Sequence, residues 1–224
     1  LAAEGAQIIV NFRDRADRAA SVVEAIRDRG GSAQAVQADV RSLEDCEKMF
    51  SHLATQGITA DILVNNAGIA RDRTYQKMQI EEWDDVLQTN LMGVEHCTRL
   101  ALPDMVAGKY GRIVNVSSFI GQIGEFGQTN YATAKAAVIG FTKALSLEVA
   151  KHNITVNAVC PGYVRTDMWD SILPAIQERI LRSIPAGRLA EPAEIGACVR
   201  YLVVQGAYIT GQTININGGV YRGG

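Results

Sequence analysis

The sequence has little of what marks secreted, membrane-bound or metal-binding proteins. It contains four cysteines and three histidines in 224 residues. No Cys-x-x-Cys pair occurs, so neither a disulfide framework nor a zinc site is indicated. No apolar run reaches the ~20 residues of a membrane-spanning helix, and the first residues lack the basic region of a signal peptide. We therefore expect a cytoplasmic protein that binds no metal and no membrane.

An excess of charge of either sign is also missing. Lysine and arginine together number 22 against 24 acidic residues, which leaves a net charge of −2. This balance provides no electrostatic reason to expect nucleic acid as a partner. Hydrophobic residues make up 47% of the chain. A chain of this length and composition suits one large α/β domain, which we place at residues 1–224.

Strand-like runs alternate with helical patterns along the whole chain. Such alternation is typical of βαβ units and a mostly parallel sheet, so we expect a Rossmann-like, doubly wound α/β fold. We predict strands at 7–11, 33–37, 62–66, 112–116, 155–160 and 213–216, and helices at 15–29, 43–56, 81–106, 129–151, 171–182 and 193–203.

The first six residues read as the last turn of a helix that ends at Gly5 and is followed at once by a strand. No Gly-x-x-x-Gly-x-Gly run is present to bind the pyrophosphate of a dinucleotide. Either the natural chain is longer and begins with a strand and a Gly-rich turn, or this loop has been lost. We expect the former, because a parallel sheet without its central strand would have a gap in its core.

Ser118, Tyr131 and Lys135 indicate a chemical function. Tyr131 and Lys135 are four residues apart and therefore share one face of a predicted helix, while Ser118 ends an apolar strand. A phenol, an ammonium and a hydroxyl on one wall can deliver a proton to a carbonyl oxygen, which is half of a ketone reduction. The hydride must come from a cofactor. The pair by itself is weak, since a half-buried tyrosine beside an unrelated lysine would have the same spacing.

Further motifs occur in a fixed order around this pair. They are Asn65-Asn66-Ala67-Gly68 after a strand, Asn90 within a helix, Asn157-Ala158-Val159-Cys160-Pro161-Gly162 with Thr166 beyond it, and Asn217-Gly218-Gly219 after the last strand. Together they make the whole chain resemble the short-chain dehydrogenase/reductase family.

The resemblance implies a role for each catalytic candidate. Tyr131 would be the proton donor, and Lys135 would lower the pKa of its phenol towards neutrality while holding the nicotinamide ribose. Ser118 would hydrogen-bond the substrate oxygen as charge develops. Its neighbour Ser117 is the rival, but Ser118 has the family spacing of thirteen residues to Tyr131. Asn90 would hold a water linking Lys135 to solvent; alternatively, it is a helix asparagine that bonds backbone.

The resemblance also assigns a cofactor site. Besides Tyr131 and Lys135, the expected contacts are Asp39 and Val40 at the adenine ring, Asn66, Ala67 and Gly68 at the adenine ribose, and Pro161, Gly162 and Thr166 at the carboxamide of the nicotinamide.

The end of the first visible strand predicts which cofactor binds. Enzymes that use NAD place an acidic residue there to bond the ribose 2′-hydroxyl. Here the position is Phe12, followed by Arg13, whose guanidinium can pair with a 2′-phosphate; Arg15 is a second arginine within reach of the same group. The sequence therefore predicts NADPH, unless the arginines are only part of a solvated surface.

Phe126, Gln128 and Tyr163 flank the expected reactive centre and are our candidate substrate-binding residues. Their motifs resemble the (R)-specific acetoacetyl-CoA reductases of polyhydroxybutyrate synthesis, which favours a short 3-oxoacyl-CoA as the acyl thioester substrate. The first alternative is a 3-oxoacyl-[acyl-carrier-protein] reductase of fatty acid synthesis. A non-catalytic homologue is a remote third. The resemblance further implies a homotetramer.

Overall fold

The fold consists of a parallel sheet in two pieces with helices packed against it. The computed structural model describes residues 1–166, 169 and 173–223. One piece pairs β1 (Ile8–Phe12) with β2 (Ala33–Gln37). The other contains β3 (Ile62–Asn65), β4 (Gly111–Val116), β5 (Ile154–Pro161) and β6 (Thr213–Ile216), hydrogen-bonded in that order.

Helices connect the successive strands. They are α1 (Ala16–Arg27), α2 (Leu43–Thr55), α3 (Ile80–Leu87), α4 (Gly93–Gly108), α5 (Ile120–Ile123), α6 (Thr129–Val149), α7 (Pro174–Ser183) and α8 (Pro192–Val204). Short 3-10 turns lie at Ala2–Glu4, Tyr75–Lys77 and Ala150–His152. This alternation confirms the Rossmann-like α/β fold. The first two residues of the helix predicted at 171–182 lie outside the described residues.

The strands β4 and β5 form the centre of the core. Both are nearly fully buried, as expected for parallel strands covered by helices on both faces. On one face, Val114 and Val159 pack with Leu202 of α8. On the other, Ile113 and Val156 pack with the α4 and α6 helices through Met105 and Val149.

A cleft separates the two pieces of the sheet. It has a volume of about 1360 Å³ and is lined by Ile8 and Ile9 of β1, by Ile62 and Val64 of β3, and by helix residues that include Val203. The carboxyl end of the cleft reaches the residues that follow β3.

The prediction of a single helix at 81–106 is wrong in one respect. The chain forms α3, then a π-helical turn at Gln88–Met92, and only then α4. A π turn contains one more residue than an α turn and is found mostly at functional sites. Here it carries Asn90, which is fully buried and bonded to the loop after β3.

Within the described part of the chain, no helix is long and apolar enough to cross a membrane. The same residues contain no group of three or more histidine, cysteine, aspartate or glutamate side chains that could hold a metal ion.

Candidate active site

The predicted catalytic residues meet at the carboxyl edge of the larger sheet. Ser118 follows β4, and Tyr131 and Lys135 lie in the first two turns of α6. Gly68 lies in the loop after β3, and Gly162 follows β5 directly. The crevice beyond the carboxyl ends of parallel strands is where α/β folds bind ligands.

Ser118 and Ser117 have different partners. The side chain of Ser118 interacts with the Tyr131 phenol and lowers its pKa, and its hydroxyl accepts from the backbone N–H of Ile120 at 3.2 Å. The Ser117 hydroxyl instead donates to the backbone oxygen of Lys135 at 2.7 Å. Ser118 is therefore the serine that shares a surface with Tyr131, while Ser117 ties the end of β4 to α6.

The pKa of the Tyr131 phenol depends on burial and on neighbouring side chains. Burial raises this pKa, Asp72 and Cys160 raise it further, and among the described residues Ser118 lowers it. The lowering of this pKa that we expect from Lys135 stays a prediction. The Lys135 ammonium donates to the backbone oxygen of Val116 at 2.7 Å. It lies over the Tyr131 ring, 5.7 Å from the ring centroid.

Lys135 is itself strongly perturbed. Only 4% of its surface is exposed, and burial lowers the pKa of its ammonium to about 8, a shift that the nearby Cys160 thiol partly opposes. A buried lysine at the carboxyl edge of a sheet marks a functional site, because burying an ammonium carries a free-energy cost that a purely structural position would avoid.

Asn90 and Gly68 lie beside Lys135. The Asn90 side chain bonds both backbone groups of one residue, accepting from the N–H of Ile69 at 2.8 Å and donating to its C=O at 2.9 Å. A Cβ atom at Gly68 would lie 3.4 Å from Asn90 Oδ1 and 3.5 Å from Lys135 Nζ. Asn90 thus holds the loop after β3 in place. The predicted water relay stays a prediction.

Gly162 has a packing role. A Cβ atom at this position would lie 2.7 Å from the Cα of Asn217, so only glycine lets the chain after β5 pass this turn. Its N–H donates to the C=O of Ile216 at 2.9 Å. The neighbouring Pro161 is half-buried, whereas Thr166 is exposed in the loop that follows. The predicted carboxamide contacts of these residues stay predictions.

Two of the residues predicted at the adenosine end, Arg13 and Asp39, line a polar pocket of about 610 Å³. Arg13 and Asp39 face it together with Arg41 and Lys48. Arg41 bonds Asp39 at 2.6 Å, and this hydrogen bond lowers the pKa of the Asp39 carboxyl despite its partial burial. Arg13 is paired with the adjacent Asp14, so a bound phosphate would have to compete with that carboxylate.

The backbone near this pocket is also fixed. The backbone oxygen of Val40 accepts from Nδ1 of His96 on α4 at 2.9 Å. The Asn66 and Ala67 side chains border the cleft after β3. These residues therefore extend from the polar pocket towards Gly68 along one edge of the sheet.

The three candidate substrate residues differ in exposure and in partners, and their role in substrate binding stays a prediction. Phe126 is 86% exposed in the loop before α6. Gln128 donates from its amide to Asp72 at 2.7 Å. The Tyr163 ring contacts Phe119 edge-on, with 5.2 Å between centroids. Burial, followed by the nearby Glu125 carboxylate, raises the pKa of the Tyr163 phenol.

Sequence reasoning missed several residues of this site. Asn130 is fully buried; it donates to the backbone oxygens of Arg71 and Glu82 at 3.1 Å and accepts from the N–H of Tyr131 at 2.8 Å. A polar residue directly before Tyr131 was the available signal. The further residues missed are Asp72, Cys160, Glu125, Arg41 and Lys48.

The parallel α/β sheet, with serine, tyrosine and lysine together at its carboxyl edge, defines the class of Rossmann-like oxidoreductases. Residues 1–221 match the family model described as enoyl-(acyl carrier protein) reductase. The chain belongs to this family, which is part of the short-chain dehydrogenases/reductases.

Curated relatives cover nearly the whole chain. It is 42% identical over 222 residues to the 3-oxoacyl-[acyl-carrier-protein] reductase FabG of Staphylococcus aureus, covering 99% of this chain and 90% of the relative. A 3-oxoacyl-[acyl-carrier-protein] reductase of Synechocystis is 41% identical over 222 residues, covering 98% and 89%. Nodulation protein G of Azospirillum brasilense is 42% identical over 221 residues, covering 98% and 90%.

Proposed function

We propose that this chain is an NADPH-dependent reductase that converts a 3-oxoacyl thioester, carried on an acyl carrier protein, to the 3-hydroxyacyl thioester. The observation that carries the proposal is the contact of the Ser118 hydroxyl with the buried Tyr131 phenol beside Lys135. The names of the relatives support the choice of a 3-oxoacyl substrate.

The residues present fit a pyridine nucleotide. Four cations line the polar pocket together with four carboxylates, and a 2′-phosphate would pair with the cations; they are Arg13, Arg41, Lys48 and Arg71. Gly68 lies beside Asn90 and Lys135 without a side chain of its own. When bound, the cofactor supplies the hydride that the chain itself cannot provide.

The protein residues donate the proton and stabilise the charge that develops on the substrate. The raised pKa of Tyr131 keeps its phenol protonated near neutral pH, which is the state that can donate a proton to a carbonyl oxygen. Ser118 stabilises the negative charge that develops on that oxygen. Lys135, with a pKa of about 8, can exchange protons near neutral pH and so return one towards Tyr131.

The carrier-protein substrate takes the place of the acetoacetyl-CoA that the sequence patterns favoured. Both thioesters present the same 3-oxo group, so the residues around Tyr131 do not distinguish them. The relatives are named for the carrier-bound substrate, which is why we rank it first. Reduction of acetoacetyl-CoA to the (R)-3-hydroxyacyl-CoA is the second candidate, favoured by the motif from Glu125 to Tyr131 and by Tyr163.

Steady-state kinetics with the full chain test this order. The decrease of NADPH absorbance is followed with acetoacetyl carrier protein and with acetoacetyl-CoA at matched concentrations. We expect the larger kcat/KM with the carrier-bound substrate. A larger value with acetoacetyl-CoA would reverse the ranking, and no turnover of either, together with no NADPH binding by fluorescence, would support a non-catalytic homologue.

The homotetramer is also part of this proposal. It is supported by the exposed face of α6, where the apolar side chain of Leu147 is 84% exposed, whereas the opposite face of the helix is buried. A single large apolar side chain on such a face is compatible with burial against another copy.

A further inference from the structure

Asp72 lies in the loop after β3 and faces the start of the catalytic helix. Its Oδ2 accepts a hydrogen bond of 2.7 Å from Nε2 of Gln128. Gln128 is the residue directly before α6, three positions ahead of Tyr131. The carboxylate therefore contacts the segment that sets the position of the Tyr131 side chain.

Two backbone contacts connect the same pieces of chain. The N–H of Arg73 donates to the C=O of Gly127 at 2.7 Å. Asn130 donates to the C=O of Arg71 at 3.1 Å and accepts from the N–H of Tyr131 at 2.8 Å. Contacts from residues 71–73 thus reach residues 127, 128 and 130, so the loop after β3 and the first turn of α6 form one hydrogen-bonded unit.

The carboxylate also fixes the orientation of the Gln128 amide. An ionised carboxylate can only accept, so the NH₂ group of Gln128 must face Asp72. The Oε1 atom is consequently turned to a buried position where it has no hydrogen-bond partner among the described residues. A buried acceptor without a donor is unfavourable, and the charge-assisted bond to Asp72 offsets that cost.

Asp72 acts on Tyr131 by charge as well. Among the described residues, the groups that act on the Tyr131 phenol are Ser118 after β4, Cys160 of β5 and Asp72, and Lys135 lies over the ring. Burial is the largest cause of the raised pKa of the phenol, and Asp72 is the carboxylate that adds to it.

We propose that Asp72 is a positioning residue for Tyr131: it fixes the start of α6 through its hydrogen bond with Gln128, and it places a negative charge on the side of the site where Tyr131 lies. This role rests on the proposed function, since it matters only where Tyr131 donates a proton. It assigns a task to a residue that acts on Tyr131 through the start of α6.

The test compares Asp72→Asn, Asp72→Ala and a matched control, Asp84→Asn, which removes an exposed carboxylate from α3. For each full-length variant, kcat and KM are measured across pH with NADPH and a 3-oxoacyl thioester. Asp72→Asn removes the charge but keeps an acceptor for Gln128. We expect its alkaline limb to move to lower pH with kcat near neutral pH little changed, because loss of a negative charge lowers the pKa of the phenol.

Asp72→Ala also removes the acceptor. We expect the same shift of the alkaline limb and, in addition, a fall in kcat of about tenfold or more, the size associated with one hydrogen bond to a charged group. Because Asp72 is exposed, the shift should shrink at high ionic strength. An Asp72→Asn profile that coincides with those of the wild type and Asp84→Asn would overturn the proposal.

A second measurement does not depend on turnover. Ultraviolet absorbance titration, with Tyr131→Phe subtracted, reports ionisation of the Tyr131 phenol directly, and we expect it at lower pH in Asp72→Asn than in the wild type. Unchanged ionisation would overturn the role of Asp72 even in an active enzyme. If the wild type reduces no thioester but Tyr131 still ionises at lower pH in Asp72→Asn, only the proposed function is overturned. If Asp72→Ala does not fold, Asp72→Asn decides.

Discussion

Tyr131 is the residue on which the proposed reaction depends most directly. Replacement by phenylalanine removes the phenol hydroxyl and its acidic proton but keeps the aromatic ring. We expect kcat to fall by about 10²–10⁴-fold, the usual contribution of a general acid, with NADPH binding retained in a fluorescence titration. Tyr201→Phe, which removes a half-exposed hydroxyl from α8, should change neither quantity. Retained turnover in Tyr131→Phe would exclude Tyr131 as the proton donor.

Lys135 makes the unfolding free energy depend on pH, independently of catalysis. Its pKa falls from the ordinary 10.5 to about 8 in the folded chain. Between these values the unfolded chain holds a proton that the folded chain has lost, so the lysine makes stability rise with pH. Below about pH 8 both states are protonated, and this contribution to the pH dependence is flat.

Comparison with Lys135→Met isolates this effect, since the other titrating groups are common to both proteins. We expect the unfolding free energy of the wild type to rise relative to that of the variant between pH 8 and 10.5, by up to about 3 kcal/mol. Denaturant unfolding without nucleotide at several pH values measures the difference. A difference that is constant across this window would mean that the ammonium is not desolvated.

At the scale of elements, the contact between α5 and α6 sets the backbone position of Lys135. A Cβ atom at Gly121 would lie 2.7 Å from the carbonyl carbon of Lys135 and 2.8 Å from the N of Ala136. Because both obstacles are backbone atoms, they cannot swing aside. Gly121 is therefore required for α5 to approach the catalytic helix this closely.

We expect Gly121→Ala to lower the unfolding free energy by about 1–3 kcal/mol, as overpacking of a close contact does, and to lower kcat. Gly196→Ala in α8 is the matched control, because a Cβ atom there meets nothing within 4 Å and alanine is the better helix former. Thermal and denaturant unfolding measure both. Equal stability of the two variants would show that α5 can retreat without cost.

The elements also show where prediction from sequence succeeds. The strands and helices lie close to their predicted positions, since hydrophobic periodicity is a local property of the chain. The prediction of one continuous helix at 81–106 is wrong at Gln88–Met92, where a π turn interrupts the α-helical structure. The residues around Asn90 are ordinary helix formers, and nothing in their spacing reveals that the Asn90 side chain bonds Ile69, twenty-one residues earlier.

At the scale of the whole molecule, the surface of α6 tests the proposed tetramer. We expect Leu147→Glu to shift the sedimentation of the protein towards smaller species, because a carboxylate at a buried subunit contact is strongly unfavourable. Val22→Glu, at a half-exposed apolar position on α1, is the control and should sediment like the wild type. Identical sedimentation of all three proteins would remove α6 from the subunit contact.

The sequence by itself determined the class of this protein. Its alternating periods predict the parallel α/β fold, and Ser118, Tyr131 and Lys135 are recognisable because their spacing is short and regular. The tertiary structure alone decided which charges surround Tyr131. Asp72 and Cys160 approach it from other elements, while the Lys135 ammonium bonds Val116 and faces the ring. Such contacts join residues far apart in the chain, and their distances depend on packing that no local pattern encodes.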